Sequence, residues 1–124
     1  MFSFITIGTN NLENAVRFYN KILKPLKIKK TLKHERYYGY SRQRTPKKIE
    51  LYLIKPHDKK KATFGNGTMI TFKAKSKKEV DNFYNTGIKL GAKNEGSPGP
   101  RHGKDYFAYI RDLDGNKICA CKKI

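Results

Sequence analysis

Phe4-Ile5-Thr6-Ile7 recurs as Met69-Ile70-Thr71-Phe72, and Phe18-Tyr19-Asn20 recurs as Phe83-Tyr84-Asn85. Both pairs share an offset of 65 residues (69 − 4 = 65), at which Leu23-Lys24 also falls on Ile88-Lys89. A repeat this long, present only twice, does not suit a stacked solenoid and predicts two similar modules sharing one core. The chain of 124 residues is one domain's worth, with module one at about 1–56 and module two at about 66–124 of a single domain spanning 1–124.

Working outward from the first copy, Phe2 to Gly8 alternates as a strand does, and Asn10 or Asn11 can cap a helix. Leu12, Ala15, Val16, Tyr19, Ile22 and Leu23 recur at helical spacing, and Pro25 stops the run. Extended stretches follow near Lys27–His34, Tyr37–Arg42 and Lys48–Lys55, so the module reads βαβββ. The second copy gives a strand at Thr68–Lys75 and a helix from the Ser76-Lys77-Lys78-Glu79 capping box to about Leu90, with Gly91 as its stop. Strands near Ala92–Glu95, Asp105–Arg111 and Lys117–Lys122 complete it. The breaker-rich stretch from Gly96 to Gly103 reads as a surface loop, and Asp112-Leu113-Asp114-Gly115-Asn116 as a hairpin turn. That turn is no calcium loop, because Lys117 and Lys123 stand where such a loop needs Gly and Glu.

Charge is the unusual feature of the composition: 28 Lys plus Arg against 10 Asp plus Glu gives 28 − 10 = +18. A protein so charged attracts anions and repels cationic ligands. Lysines outnumber arginines 22 to 6 and are scattered along the chain, which describes a solvated coat better than a base-reading surface. The longest uncharged apolar stretch, Phe2 to Gly8, is too short to span a bilayer, and no basic residue precedes Arg17 as a secretory leader requires. A cytoplasmic protein without a membrane partner is expected. Cys119 and Cys121, one residue apart in a strand, are poorly placed for a mutual disulfide and are expected to be free thiols.

Several of these segments resemble the vicinal oxygen chelate superfamily, which includes glyoxalase I, extradiol dioxygenases and the fosfomycin- and bleomycin-resistance proteins. The resemblance rests on the paired modules, on Ile5-Thr6-Ile7 followed by Asn11-Leu12-Glu13 and Phe18-Tyr19, and on the closing Arg111-Asp112-Leu113-Asp114-Gly115-Asn116-Lys117-Ile118. That closing segment resembles the family's "DPDGN" turn with Leu113 in place of Pro, and Gly65-Asn66-Gly67-Thr68 resembles small bacterial glyoxalase-like proteins. The resemblance implies an α+β fold in which the two modules form a curved mixed-sheet cup. It also implies a divalent metal held by residues of the first and last strands of each module. Carried over by position, those places hold Phe4, Glu50, Met69 and Cys119. Phe4 has no donor atom and the Met69 thioether is too soft for the hard divalent ions implied, so no metal and no other cofactor is expected.

Period-two alternation divides the strands in the same way. Ile5, Ile7, Ile49, Leu51, Leu53, Ile70, Phe72, Ile118 and Ala120 form apolar faces suited to packing under helices. The opposite faces carry Phe4, Glu50, Tyr52, Met69 and Cys119, the expected walls of the cup, with Arg101 and His102 at its rim. Cys119 reads either as an inert buried thiol or as a nucleophile with no base beside it in sequence. Glu50 reads as an ion-pair partner, an edge residue in water or a ligand contact, and Arg101 and His102 as anion binders or plain solvated side chains.

Three functions follow. The first is a metal-independent protein binding a small, partly apolar, neutral or anionic molecule, expected to form a homodimer because each module leaves sheet edges to cover. The second is a glyoxalase-like lyase or isomerase, against which the missing ligands count. The third is nucleic-acid or other polyanion binding through the basic surface, which no groove-reading motif supports.

Overall fold

The computed structural model describes residues 1–124. Module one runs β1 (Ile5–Gly8), α1 (Leu12–Leu23), a 3₁₀ turn (Lys24–Leu26), β2 (Ile28–Lys33), β3 (Tyr37–Arg42) and β4 (Ile49–Ile54). Module two runs β5 (Ile70–Lys73), α2 (Lys77–Lys89), β6 (Lys93–Pro100), β7 (Tyr106–Arg111) and β8 (Lys117–Lys122). Each module forms its own four-stranded sheet, ordered β1-β4-β3-β2 and β5-β8-β7-β6. In each the first strand lies parallel to the last and the other pairings are antiparallel. The sheets are curved and open, as the repeat and the resemblance predicted.

Local chemistry sets the helix ends. Asn11 caps α1 by accepting from the Asn14 amide at 3.1 Å, and Ser76 caps α2 by accepting from the Glu79 amide at 3.1 Å. The Glu79 carboxylate reaches back to the Lys75 amide, one residue earlier than a capping box would place it. After Leu23 the chain tightens into the 3₁₀ turn that contains Pro25, whose missing N–H is tolerated in a first turn. Past α2, Gly91 takes φ 103°, a conformation that glycine adopts without steric cost.

One expected loop is a strand. Gly96 to Pro100 continues β6 against β7, and only Arg101 to Asp105 remains as the connection. Two register shifts, between Asn94 and Gly96 and between Gly96 and Gly99, absorb the breaker residues as bulges. Pro98 and Pro100 are compatible with this because β6 is an edge strand, where a missing N–H need not break a ladder. Gly96 is required by close approach: a Cβ there would stand 2.7 Å from Cδ2 of Tyr109.

Twenty buried residues form one core cluster drawn from both modules. Leu51 and Leu53 of β4, Ile110 of β7 and Ile118 of β8 meet Tyr19 and Ile22 of α1 and Val80 and Phe83 of α2. Burying each such side chain contributes about 1.5–3 kcal/mol, so the interior couples the modules as well as filling them. Polar contacts reinforce that coupling at the β7–β8 turn. Tyr19 donates to Asp112 at 2.5 Å, Thr9 donates to Asp114 at 2.6 Å, and the Asn116 amide donates to the Gly8 carbonyl at 3.1 Å.

Candidate functional site

The alternation that turns Leu51 and Leu53 into the core turns Tyr52 to the opposite face of the first sheet. There Phe4 meets Tyr52 edge to face at 5.2 Å, Tyr37 meets it in the same way at 5.7 Å, and His34 stacks on Tyr37 at 4.3 Å. The second sheet repeats the arrangement. Ala108 and Ile110 enter the core, so Phe107 and Tyr109 emerge opposite, with parallel rings 5.8 Å apart. Arg101 and Lys117 each lie 5.5 Å from the Tyr109 ring, and His102 meets Phe107 edge-on at 5.7 Å.

The seven residues singled out from sequence occupy five settings. Phe4 and Tyr52 belong to the first aromatic cluster, and Phe4 remains 54% exposed. Met69, 40% exposed, stands just before β5. Cys119 pairs in register with Tyr109 and is fully buried; burial pushes its thiol up to about 11, so it is a poor nucleophile. Arg101 turns its guanidinium to backbone, donating to the carbonyls of Ser97 at 2.7 Å, Gly99 at 3.1 Å and Phe107 at 3.4 Å. His102 follows it in the left-handed region at φ 54°. Glu50 pairs with Arg42 at 3.0 Å. Phe107 and Lys117 were missed as face residues, although Phe107 alternates with Ala108 in the same way as Tyr52 does with Leu51.

A cavity of about 470 Å³ opens between the modules. Its walls come from the 3₁₀ turn, the starts of β1, β2 and β4, the end of β3 and the whole of β5, and Glu50 is the one residue of the seven that lines it. The divalent metal implied by the resemblance does not fit the residues present. Phe4 offers no donor, Glu50 is engaged by Arg42, and the Cys119 thiol is held protonated by its burial. No three His, Cys, Asp or Glu side chains come together as a metal-holding group.

Comparison with known proteins agrees with this architecture. The family described as Glyoxalase/Bleomycin resistance protein/Dioxygenase superfamily matches residues 2–120. A glyoxalase/bleomycin resistance protein from Albidiferax ferrireducens T118 superposes with a TM-score of 0.90 at 36% identity, covering 100% of this chain and 99% of that one. The fosfomycin resistance protein FosX of Listeria monocytogenes superposes at 0.71 with 16% identity, over 100% and 93% of the two chains. A lactoylglutathione lyase from Agrobacterium tumefaciens gives 0.69 at 19% identity, over 98% and 92%; these two likenesses concern the fold alone. A search of curated proteins found no match. With the matched span covering nearly the whole chain and both modules in place, the protein belongs to the glyoxalase/bleomycin resistance protein/dioxygenase superfamily.

Proposed function

We propose that this protein binds a small, partly apolar, neutral or anionic molecule on its aromatic sheet faces, without a resident metal. Phe4, Tyr52 and Met69 form the walls in this reading, with Arg101 and His102 at the edge; Cys119 is buried beside Tyr109, and Glu50 lines the cavity between the modules instead. The observation that carries it is the pair of half-exposed aromatic clusters at matching places in the two modules, each flanked by a histidine. Aromatic faces with a few placed polar groups suit flat, partly apolar ligands, and a net charge of +18 disfavours cationic ones. Arg101 acts here by holding Tyr109 and the end of β6 in place, since its donors already serve three carbonyls. A glyoxalase-like lyase or isomerase finds less support, because Glu50 is engaged by Arg42 and no metal-holding group exists.

The test is a thermal-shift screen of aryl carboxylates and neutral aromatic compounds, followed by calorimetry on the hits. Tyr52→Ala and Phe107→Ala are expected to weaken a true ligand by about tenfold each, a loss of about 1.4 kcal/mol, and Met69→Trp to block it. Hits that survive all three substitutions, or that vanish at raised salt whatever the variant, would place binding elsewhere.

A further inference from the structure

The cavity between the modules is separate from the aromatic faces, and its chemistry is different. Among its lining side chains Leu26, Ile28, Leu51, Ile70 and Phe72 are apolar and buried or half-buried, whereas Lys27, Arg42, Arg44, Lys73 and Lys75 are exposed cations, set against the single carboxylate of Glu50. Five cations and one acid leave a local excess of four (5 − 1 = 4). The chain contains only two ion pairs, Arg42–Glu50 and Arg111–Glu95, so Lys27, Arg44, Lys73 and Lys75 have no acidic partner. They come from both modules: Lys27, Arg42 and Arg44 lie around β2 and β3, whereas Lys73 ends β5 and Lys75 follows it by two residues. Like charges gathered at one opening repel, and an anion placed among them relieves that repulsion.

We propose that this cavity is a second binding site, for an amphipathic carboxylate: a molecule with one anionic head and a short acyl or aryl tail. The volume of about 470 Å³ falls within the range of small-molecule sites, about 300–1,000 Å³. The tail lies against the apolar wall and the head sits among the cations at the mouth. A polyanion such as a nucleic acid fits less well, because the apolar wall would then stay empty. Glu50 has a defined part in this scheme. It already presents a carboxylate to the Arg42 Nε at 3.0 Å, with 48% and 41% of the two side chains exposed, so it is a built-in competitor for the incoming head group. Because the ligand bridges the modules, it stabilises their association as well as occupying the cleft.

Calorimetry and thermal shift with octanoate, acetate and 1-octanol as probes test this. Octanoate is expected to bind and to raise the unfolding midpoint. Acetate, which has the head alone, and 1-octanol, which has the tail alone, should each bind at least about tenfold more weakly, since each buried methylene is worth about fourfold and a charge-assisted contact about tenfold or more. Arg44→Ala and Lys73→Ala, both at exposed positions, should each weaken octanoate several-fold and leave 1-octanol unchanged. Ile70→Trp should fill the cavity and abolish binding, with its circular dichroism compared with wild type to confirm folding. Glu50→Gln should tighten octanoate, because the internal competitor is gone. Equal binding of octanoate and acetate, insensitivity to Arg44→Ala and Lys73→Ala, or weaker binding in Glu50→Gln overturns the proposal. Loss of octanoate in Tyr52→Ala with retention in Lys73→Ala would assign the molecule to the aromatic face and overturn it too. The two sites therefore fail independently.

Discussion

Asp112 lies buried at the β7–β8 turn, and that burial raises its pKa above the ordinary carboxylate value although Tyr19, Asn116 and Asp114 all donate hydrogen bonds that pull it down. The consequence for stability has a definite sign. The folded state holds this proton more tightly than the unfolded chain, so the contribution of Asp112 is fullest below the ordinary carboxylate pKa and declines as pH rises through the folded value. Tyr19→Phe removes one of the bonds to the charged form and is expected to raise the Asp112 pKa further, while lowering stability at neutral pH by about 1.5–3 kcal/mol. Urea unfolding together with a carboxyl titration followed by NMR measures both; an unmoved titration would show that the Tyr19 bond does not act on Asp112. Cys119 gives a second prediction at this scale. With its thiol raised by burial to about 11, it holds little thiolate at pH 8, so iodoacetamide should label it slowly in the native protein and quickly in denaturant. Fast native labelling would mean that the strand opens.

The β6–β7 hairpin is the element whose character depends most on one side chain. Three carbonyls and the Tyr109 ring converge on the Arg101 guanidinium, which ties an irregular edge strand of glycine and proline to its neighbour. Arg101→Ala is expected to cost about 1–3 kcal/mol and to speed amide exchange in β6 and β7 ahead of the rest of the sheet. Arg101→Lys should recover only part of this, because a lysine keeps the charge and loses the planar fork. Uniform exchange across both sheets in Arg101→Ala would show that the clamp is not local. The helices, by contrast, follow from local signals: Asn11 and Ser76 cap them, and their apolar stripes meet the core.

Across the whole molecule, one core and one polar turn join the two modules, so unfolding is expected to be a single cooperative event. Each sheet ends in unpaired edge strands, β1 and β2 in the first and β5 and β6 in the second. Such edges favour self-association, while +18 of net charge opposes it at low salt. We therefore expect a homodimer whose population rises with ionic strength. Light scattering that returns the monomer mass from low to high salt would remove that expectation.

The sequence by itself determined the duplication, the βαβββ order, the capped helices and, in the first and last strands of each module, the division into a core face and an opposite face. These are legible because each depends on spacing over a few residues: Leu51 and Leu53 alternate with Tyr52 whatever the rest of the chain does. It mistook Gly96–Pro100 for a loop, because glycine and proline mark a turn unless bulges and an edge position accommodate them, and those depend on the partner strand. The candidate site was legible only in part, for a related reason. Alternation put Phe4, Tyr52 and Cys119 on one kind of face, but only the packing of the two modules sets Glu50 beside Arg42 and opens a cavity between β5 and the first sheet. Which side chains share a space is a long-range property, decided when one core draws both modules together.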